Sequence, residues 1–219
     1  MSDNTAPTVS VVIPALNEAR TIAHLLERLG PEVQVVLVDG GSVDRTIEVT
    51  LQHRPDATVV RPTRTGKGNA LACGFAACTG DIIAVIDADG PAGIAPFVAA
   101  LTAGADCARA ARSARLGSLL SGSRCTVFWR RIVPLLELPD PALPRPADGG
   151  PVWGDGLEVE TLIHLRLAAA GVRVAEVAMA GSPLARRGSA LTAAARGLRT
   201  IAVEQMRQRR LRSAQLRSV

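Results

Sequence analysis

Short apolar segments rich in Val and Ile alternate with longer amphipathic segments in the first half of the chain. Each apolar segment has the length and the β-branched content of a strand buried on both faces. The predicted strands are residues 9–14, 33–38, 58–60 and 81–86. After the first of them, Ile22, Leu25, Leu26 and Leu29 recur at the spacing of one helix face, and Asn17 is a candidate N-cap for that helix. Strands alternating with helices predict βαβ units and a mostly parallel sheet.

The pattern continues through three more helices and then weakens. Those helices are predicted at residues 43–53, 66–77 and 91–104. No clear period is found in residues 106–124, and the prolines at 139, 141, 144, 146 and 151 indicate a long extended loop. The remaining predicted elements are a helix at 157–170 closed by Gly171, a strand at 172–179 and an amphipathic helix at 191–211.

Polar and glycine-rich residues follow the predicted strands. They lie at residues 14–18, 39–42, 66–68 and 87–90. In a parallel sheet the ligand binds outside the carboxyl ends of the strands, so we expect these segments to form one site. Asp87 and Asp89 lie two residues apart and can point the same way. Carboxylates in this arrangement suit Mg²⁺ or Mn²⁺ beside a diphosphate, whereas the alternative is an ordinary polar turn.

Composition narrows the class of partner. The chain has 219 residues, a net charge of +5, 24 Arg and a single Lys, Lys67. With three Phe, two Trp and no Tyr, it lacks the stacking platforms of single-stranded nucleic-acid binders. Residues 186–219 contain nine Arg and a single acid, Glu204. Such a segment suits phosphates, anionic lipid or nucleic acid, or is a solvated basic helix.

The cysteines and the lengths of the apolar segments indicate the cellular compartment in which the protein is found. Cys73, Cys78, Cys107 and Cys125 have no metal-binding spacing and are typical of small buried residues in a reducing environment. The sequence has no basic-then-apolar signal pattern and no apolar run of membrane-spanning length. We therefore expect a cytoplasmic protein, with contact to a membrane surface left open.

Other nucleotide-binding folds fit less well. The sequence contains no G-x-G-x-x-G, and Gly66-Lys67-Gly68 lacks the upstream Gly and following Ser/Thr of a Walker A loop. A sugar nucleotidylyltransferase is expected to have a basic Gly-rich loop at the first strand. The chain has Pro14-Ala15-Leu16-Asn17-Glu18 there instead.

Taken in order, the strand-end motifs resemble those of family 2 glycosyltransferases. They are residues 9–18, the segment Asp39-Gly40-Gly41-Ser42, the loop Gly66-Lys67-Gly68 and Asp87-Ala88-Asp89. Within the family, the chain is most similar to the dolichyl- or polyprenyl-phosphate sugar synthases and their bacterial relatives. The resemblance implies an α/β GT-A fold, a mostly parallel open sheet flanked by helices. It implies one domain at 9–219, with a nucleotide-sugar half at 9–105 and an acceptor half at 106–219. Residues 1–8 are polar, and we expect them to form a loose leader.

The resemblance also implies roles for individual residues. Asp39 would accept from the base or ribose of the donor nucleotide, with Pro14, Asn17 and Glu18 closing the same pocket. Lys67 would place its charge near the diphosphate, and Asp87 and Asp89 would hold Mg²⁺ or Mn²⁺. The alternatives are an ordinary loop lysine and, for Asp39, a helix-capping turn residue.

The acceptor half carries the remaining candidates. Glu160 takes the place of the family's catalytic base, although a lipid-phosphate acceptor would need none. His164 is interpreted as a helix-surface histidine paired with that acid. Arg186 and Arg187 resemble an arginine-rich segment that would meet the diphosphate or acceptor phosphate.

Two departures from the family pattern leave alternatives open. The segment between residues 106 and 128 is short, with Leu120 where the family has an Asp, and Gly40 replaces an acid often found beside Asp39. The leading hypothesis is a metal-dependent inverting glycosyltransferase. It would use a nucleotide-diphosphate sugar and a polyprenyl phosphate or small hydroxylated or phosphorylated acceptor. The alternatives are a catalytically lapsed binding module of the same fold and, last, a nucleic-acid-binding protein; a homodimer is left open.

Overall fold

A computed structural model describes residues 6–91, 93–111, 125–144, 146–147, 150, 152–178 and 199–207 of the chain. At its centre is a seven-stranded sheet of order β3-β2-β1-β4-β6-β5-β7. The strands are β1 (Val9–Ala15), β2 (Gln34–Asp39), β3 (Thr58–Val60), β4 (Ile82–Ile86), β5 (Cys107–Ala110), β6 (Cys125–Trp129) and β7 (Val174–Val177). β6 is antiparallel to β4 and β5, and the other neighbouring strands are parallel. The predicted α/β class with a mostly parallel sheet is confirmed.

Helices cover both faces of this sheet. They are α1 (Ile22–Leu26), α2 (Thr46–His53), α3 (Lys67–Ala76), α4 (Ala95–Thr102), α5 (Val159–Ala169) and α6 (199–207), with a 3₁₀ helix at Arg130–Leu136. The predicted N-cap of α1 is wrong, because Thr21 precedes the helix and Asn17 lies in a turn with φ of 57°. A left-handed Asn reverses the chain before the helix begins, and its side chain accepts a hydrogen bond from the Val43 N–H instead of capping the helix.

The core has one layer on each face of the sheet, as expected for central strands with apolar residues at nearly every position. On one face, Val11 and Ile13 of β1 belong to a cluster with Phe97 of α4. On the other face, Val12 belongs to a cluster with Phe75 of α3 and Phe128 of β6. The last two rings meet edge to face with centroids 5.7 Å apart. Val159 and Leu167 of α5 belong to this second cluster too, so α3 and α5 lie over the same face of the sheet.

The strand register places the candidate segments at one edge. Pro14 pairs with Val38, and Ala15 pairs with Asp39. Val12 pairs with Val85 of β4, two residues before Asp87. Because these strands are parallel, the turns that follow them leave the sheet at the same edge.

Two observations on the described residues concern the N-terminal segment and the possibility of a membrane-spanning helix. Thr8, the last residue assigned to the leader, donates hydrogen bonds from its backbone N–H (3.0 Å) and hydroxyl (2.9 Å) to Asp81. Among the described helices, none has the length and apolarity needed to cross a bilayer.

The four cysteines are buried and free, as predicted. Burial raises the pKa of the Cys78 thiol to about 11 and those of Cys107 and Cys125 to about 12. We expect these thiols to react with a disulfide reagent at pH 8 only as fast as the protein unfolds, which absorbance of the released thiolate measures. Because unfolded thiols ionise first, the unfolding free energy should also fall as pH rises above about 9. Fast reaction of the folded protein would contradict this expectation.

Candidate active site

The turn after β2 is closed by Asp39. Its carboxylate, buried at the strand end, accepts hydrogen bonds from the backbone N–H groups of Gly41 and Ser42 at 3.2 Å. The N–H of Gly40 donates to the Ala15 carbonyl at 2.8 Å and joins the ends of β1 and β2. Asp39 is thus a turn residue held in a fixed orientation. It is not a helix cap, since α2 begins at Thr46.

The loops after β1 and β2 are tied to one another by reciprocal hydrogen bonds. The Asn17 N–H donates to Ser42 Oγ, and the Val43 N–H donates to Asn17 Oδ1, both at 2.9 Å. The Glu18 N–H donates to Thr46 Oγ1 at 2.9 Å. The structure therefore brings Asn17 and Glu18 beside the Asp39 turn, as their predicted shared pocket requires, with Pro14 half-buried in β1 below them.

Lys67 bridges the two halves of the chain. Its Nζ donates to Asp87 Oδ1 at 3.1 Å and to Glu160 Oε1 at 2.7 Å, although Glu160 is 93 residues away in sequence. Burial alone would lower the pKa of the Lys67 ammonium, but Asp87 and Glu160 together raise it. The three side chains are about one-fifth to one-third exposed, so the group lies in an open recess.

Negative charge exceeds positive charge in this recess. Burial raises the pKa of the Asp87 carboxyl, the Lys67 ammonium opposes the rise, and the charges of Glu160 and Asp89 add to it. Asp87 and Asp89 lie in a turn that starts immediately after β4 and is closed by the Gly90 N–H on the Asp87 carbonyl at 2.7 Å. Three carboxylates beside one ammonium leave a net negative charge, which a divalent cation bound to part of the group would reduce.

The residues present fit a divalent cation shared with a substrate. Within the described ranges, no three His, Cys, Asp or Glu side chains form a complete ligand cluster. Asp87 and Asp89 therefore supply at most part of a coordination shell. Mg²⁺ is commonly held in this way, by one or two carboxylates with substrate phosphates and water completing the shell.

A junction missed by the sequence analysis lies beneath Lys67. The Asp155 carbonyl accepts hydrogen bonds from the Gly68 N–H (2.7 Å) and the Asn69 N–H (3.3 Å) at the start of α3. Its carboxylate forms an ion pair with Arg64. The sequence signal was an acid between two glycines, Gly154 and Gly156, but nothing local identified its partner.

A cavity of about 200 Å³ lies between α5 and the strands β5–β7. His164 of α5 lines it, and its Nδ1 lies 2.5 Å from the Glu160 carbonyl oxygen. Arg109 and Thr126 form its polar wall, and Arg109 is paired with Glu176. Its other lining residues are Cys107, Leu167, Ala168, Val172 and Val174. Arg186, Arg187 and Leu120 lie outside the described residues.

Comparison with known proteins identifies the family. Residues 10–132 match the family described as "Glycosyl transferase family 2". The chain belongs to this family. An uncharacterized glycosyltransferase of Mycobacterium bovis is 33% identical over 206 residues, covering 86% of the chain and 92% of that protein.

Two further relatives of this family 2 glycosyltransferase have named activities. A crystal structure of Mycobacterium tuberculosis glucosyl-3-phosphoglycerate synthase with Mn²⁺, UDP-glucose and phosphoglyceric acid aligns with a TM-score of 0.69 and 25% identity, covering 92% of the chain and 79% of the other. The undecaprenyl-phosphate 4-deoxy-4-formamido-L-arabinose transferase of Edwardsiella ictaluri is 37% identical over 102 residues, covering 41% of the chain and 31% of that protein. The predicted GT-A fold and glycosyltransferase class are confirmed.

Proposed function

We propose that this family 2 glycosyltransferase transfers a sugar from a nucleotide-diphosphate donor to an acceptor hydroxyl, with inversion at the sugar and with Mg²⁺ or Mn²⁺. The observation that carries the proposal is the Lys67 ammonium held between Asp87 and Glu160, with Asp89 adjoining. One cation and three acids at the carboxyl end of a parallel sheet suit a diphosphate, a metal and a proton acceptor together.

The donor side of the site is assigned first. Asp87 and Asp89 would hold the metal, which when bound withdraws charge from the leaving diphosphate. Lys67 donates to the same diphosphate from the glycine loop, where backbone N–H groups are close. Asp39, Asn17 and Glu18 close the nucleoside side of the pocket above Pro14. The related synthase with Mn²⁺ and UDP-glucose supports a donor of this class.

The acceptor side is assigned to α5 and the adjoining cavity. Glu160 accepts the proton of the attacking hydroxyl, and its contact with Lys67 fixes the carboxylate next to the donor. The cavity of about 200 Å³ suits a small hydroxylated molecule, and Arg109 and His164 suit an acceptor that also carries a phosphate or carboxylate. The synthase structure with phosphoglyceric acid supports an acceptor of this kind.

Polyprenyl phosphate is the second candidate acceptor, supported by the Edwardsiella relative. Its phosphate is already an anion and needs no base, so this acceptor makes Glu160 dispensable for proton transfer. Arg187 and the other arginines near the C-terminus would then meet the lipid headgroup. Transfer to polyprenyl phosphate in anionic vesicles but not to small hydroxy acids would replace the first assignment.

The test of the donor assignment is metal-dependent binding. Calorimetry with UDP-, GDP- and dTDP-sugars, with and without Mn²⁺, should find a donor that the wild type binds only with the metal. Asp89→Asn should weaken that binding by about tenfold or more, since a charged metal ligand is lost.

Asp81→Asn is the matched control, because Asp81 is an exposed acid at the opposite end of the same strand. It should bind the donor as the wild type does. Unchanged affinity of Asp89→Asn would overturn the metal assignment. Donor binding without turnover on any acceptor would instead favour a non-catalytic binding module. If a product forms, the NMR signal of its anomeric proton shows whether the sugar was transferred with inversion or retention.

A further inference from the structure

A buried ion pair joins the loop before α3 to the segment before α5. Arg64 Nε donates to Asp155 Oδ2 at 2.5 Å and Arg64 Nη2 donates to Oδ1 at 3.0 Å, across 91 residues of sequence. Both residues are only 4% exposed. Arg64 Nη1 also donates to the carbonyls of Asp140 (3.1 Å) and Leu143 (2.6 Å), so four of the five guanidinium N–H groups are engaged.

The backbone of the same acid begins α3. The Asp155 carbonyl accepts from the N–H groups of Gly68 and Asn69, which have no partner inside a helix. The approach is so close that only glycine fits. A Cβ on Gly66, whose φ is +132°, would lie 2.2 Å from the Asp155 oxygen, and one on Gly68 would lie 1.7 Å from the Gly154 oxygen.

Lys67 lies between these two glycines, and Glu160 lies in the first turn of α5, five residues after Asp155. The turn at residues 154–158, just before α5, is held by Glu158. Its Oε1 accepts hydrogen bonds from the N–H groups of Gly154 (2.9 Å) and Gly156 (3.1 Å). The position of Asp155 against the glycine loop therefore sets where the Glu160 carboxylate stands relative to the Lys67 ammonium. A bidentate Arg–carboxylate pair fixes orientation as well as distance, which an apolar contact would not.

We propose that Arg64 and Asp155 are positioning residues for the reaction, acting through Lys67 and Glu160 without touching substrate. Their ion pair fixes the glycine loop at residues 66–68 relative to α5. The Lys67 ammonium can then contact Asp87 and Glu160 at the same time. The effect on catalysis rests on the proposed function, whereas the effect on the Lys67 side chain does not.

A second ion pair of the same burial provides the control. Arg166 of α5 pairs with Glu204 of α6 at 3.1 Å, and both side chains are at most 4% exposed. Arg166 Nη1 also donates to the carbonyls of Leu136 and Glu137, at 2.5 and 2.8 Å. This pair ties α6 to the body of the protein, and Glu204 also accepts from Trp153 Nε1 at 3.3 Å, a hydrogen bond that the Gln side-chain oxygen of a Glu204→Gln variant can still accept. Removing the ion pair should cost stability in the same way but leave Lys67 in place.

Lys67 is the only lysine of the chain, which makes its environment measurable without a substrate. The rate at which an N-hydroxysuccinimide ester acetylates Lys67 is followed by mass spectrometry of the peptide that contains it. Asp155→Asn and Arg64→Gln should each raise this rate about tenfold, as expected when a charged hydrogen-bonded pair no longer holds the loop. Glu204→Gln should leave the rate within about twofold of wild type.

The second readout is the coupling between Asp155 and Lys67 in binding of UDP-glucose with Mn²⁺. When Lys67 is present, Asp155→Asn should weaken binding about tenfold. In the Lys67→Met background, the same substitution should weaken binding less than about twofold. Equal losses in both backgrounds would overturn the proposal, as would wild-type acetylation rates in folded Asp155→Asn and Arg64→Gln. If the wild type binds no nucleotide sugar, the proposed function fails, and the acetylation rates still decide this inference.

Discussion

Lys67→Met is expected to lower kcat/KM for sugar transfer by about 10²–10³-fold, the usual effect of removing one preorganised donor from developing negative charge. Met keeps the length of the side chain and removes only the ammonium. The Asp87 and Glu160 carboxylates then face one another without the cation that Nζ supplies at 3.1 and 2.7 Å. Steady-state kinetics with the donor selected by calorimetry, at saturating Mn²⁺, measures the change.

Arg61→Met is the matched control for this prediction. Arg61 is an exposed cation in the same loop between β3 and α3, so the substitution removes an equal charge outside the recess. It should keep kcat/KM near the wild-type value. If Lys67→Met and Arg61→Met have equal and small effects, Lys67 is an ordinary loop lysine and the donor-site assignment fails.

Glu160→Gln is expected to lower kcat by about 10²–10⁴-fold while KM for the donor changes little, because a general base acts mainly in the transition state. Gln keeps the shape and can still accept a hydrogen bond from Lys67 Nζ. The loss then reports proton transfer from an acceptor hydroxyl rather than loss of structure. Initial rates at saturating donor and acceptor provide the measurement.

Glu158→Gln distinguishes the two acids at the start of α5. The Glu158 carboxylate accepts hydrogen bonds from backbone N–H groups of the preceding turn, which an amide oxygen also accepts. Its kcat should therefore remain within about tenfold of wild type, as for loss of one charged hydrogen bond. A large loss in Glu158→Gln together with a small one in Glu160→Gln would transfer the role of base to Glu158.

The elements of the first half of the chain could be predicted because short stretches of sequence determine each of them. Strands buried on both faces appear as short runs of Val and Ile, and parallel connections bring their carboxyl ends to one edge. β2 and β4 lie within one residue of their predicted bounds. The meeting of Asn17 with the Asp39 turn follows from that topology, although the contacts of Asn17 with Ser42 and Val43 are tertiary and were not predicted.

The second half depended on contacts that no local pattern reveals. The Arg64–Asp155 pair joins segments 91 residues apart, and its geometry depends on how two loops dock. In the sequence, Glu204 is a single acid in an arginine-rich segment, and the pattern of that segment suggests a solvated surface. Glu204 is buried on Arg166 and accepts from Trp153 Nε1 at 3.3 Å, so the acid is part of the protein's interior. Sequence indicates the sign of a charge, whereas only the fold shows which charge it neutralises.

The antiparallel position of β6 has a consequence for the order in which the protein is made. β4 pairs with β1 on one side and with β6 on the other, and Ile86 is opposite Cys125. Until residues 125–129 have emerged from the ribosome, β4 is an apolar edge strand with unpaired backbone groups, the kind of edge that recruits other chains. The parallel strands β1–β4 are therefore synthesised before the strand that completes the pairing of β4. A chain truncated near residue 105 would expose the unpaired edge of β4, next to Asp87, to chaperones or to a second copy of itself.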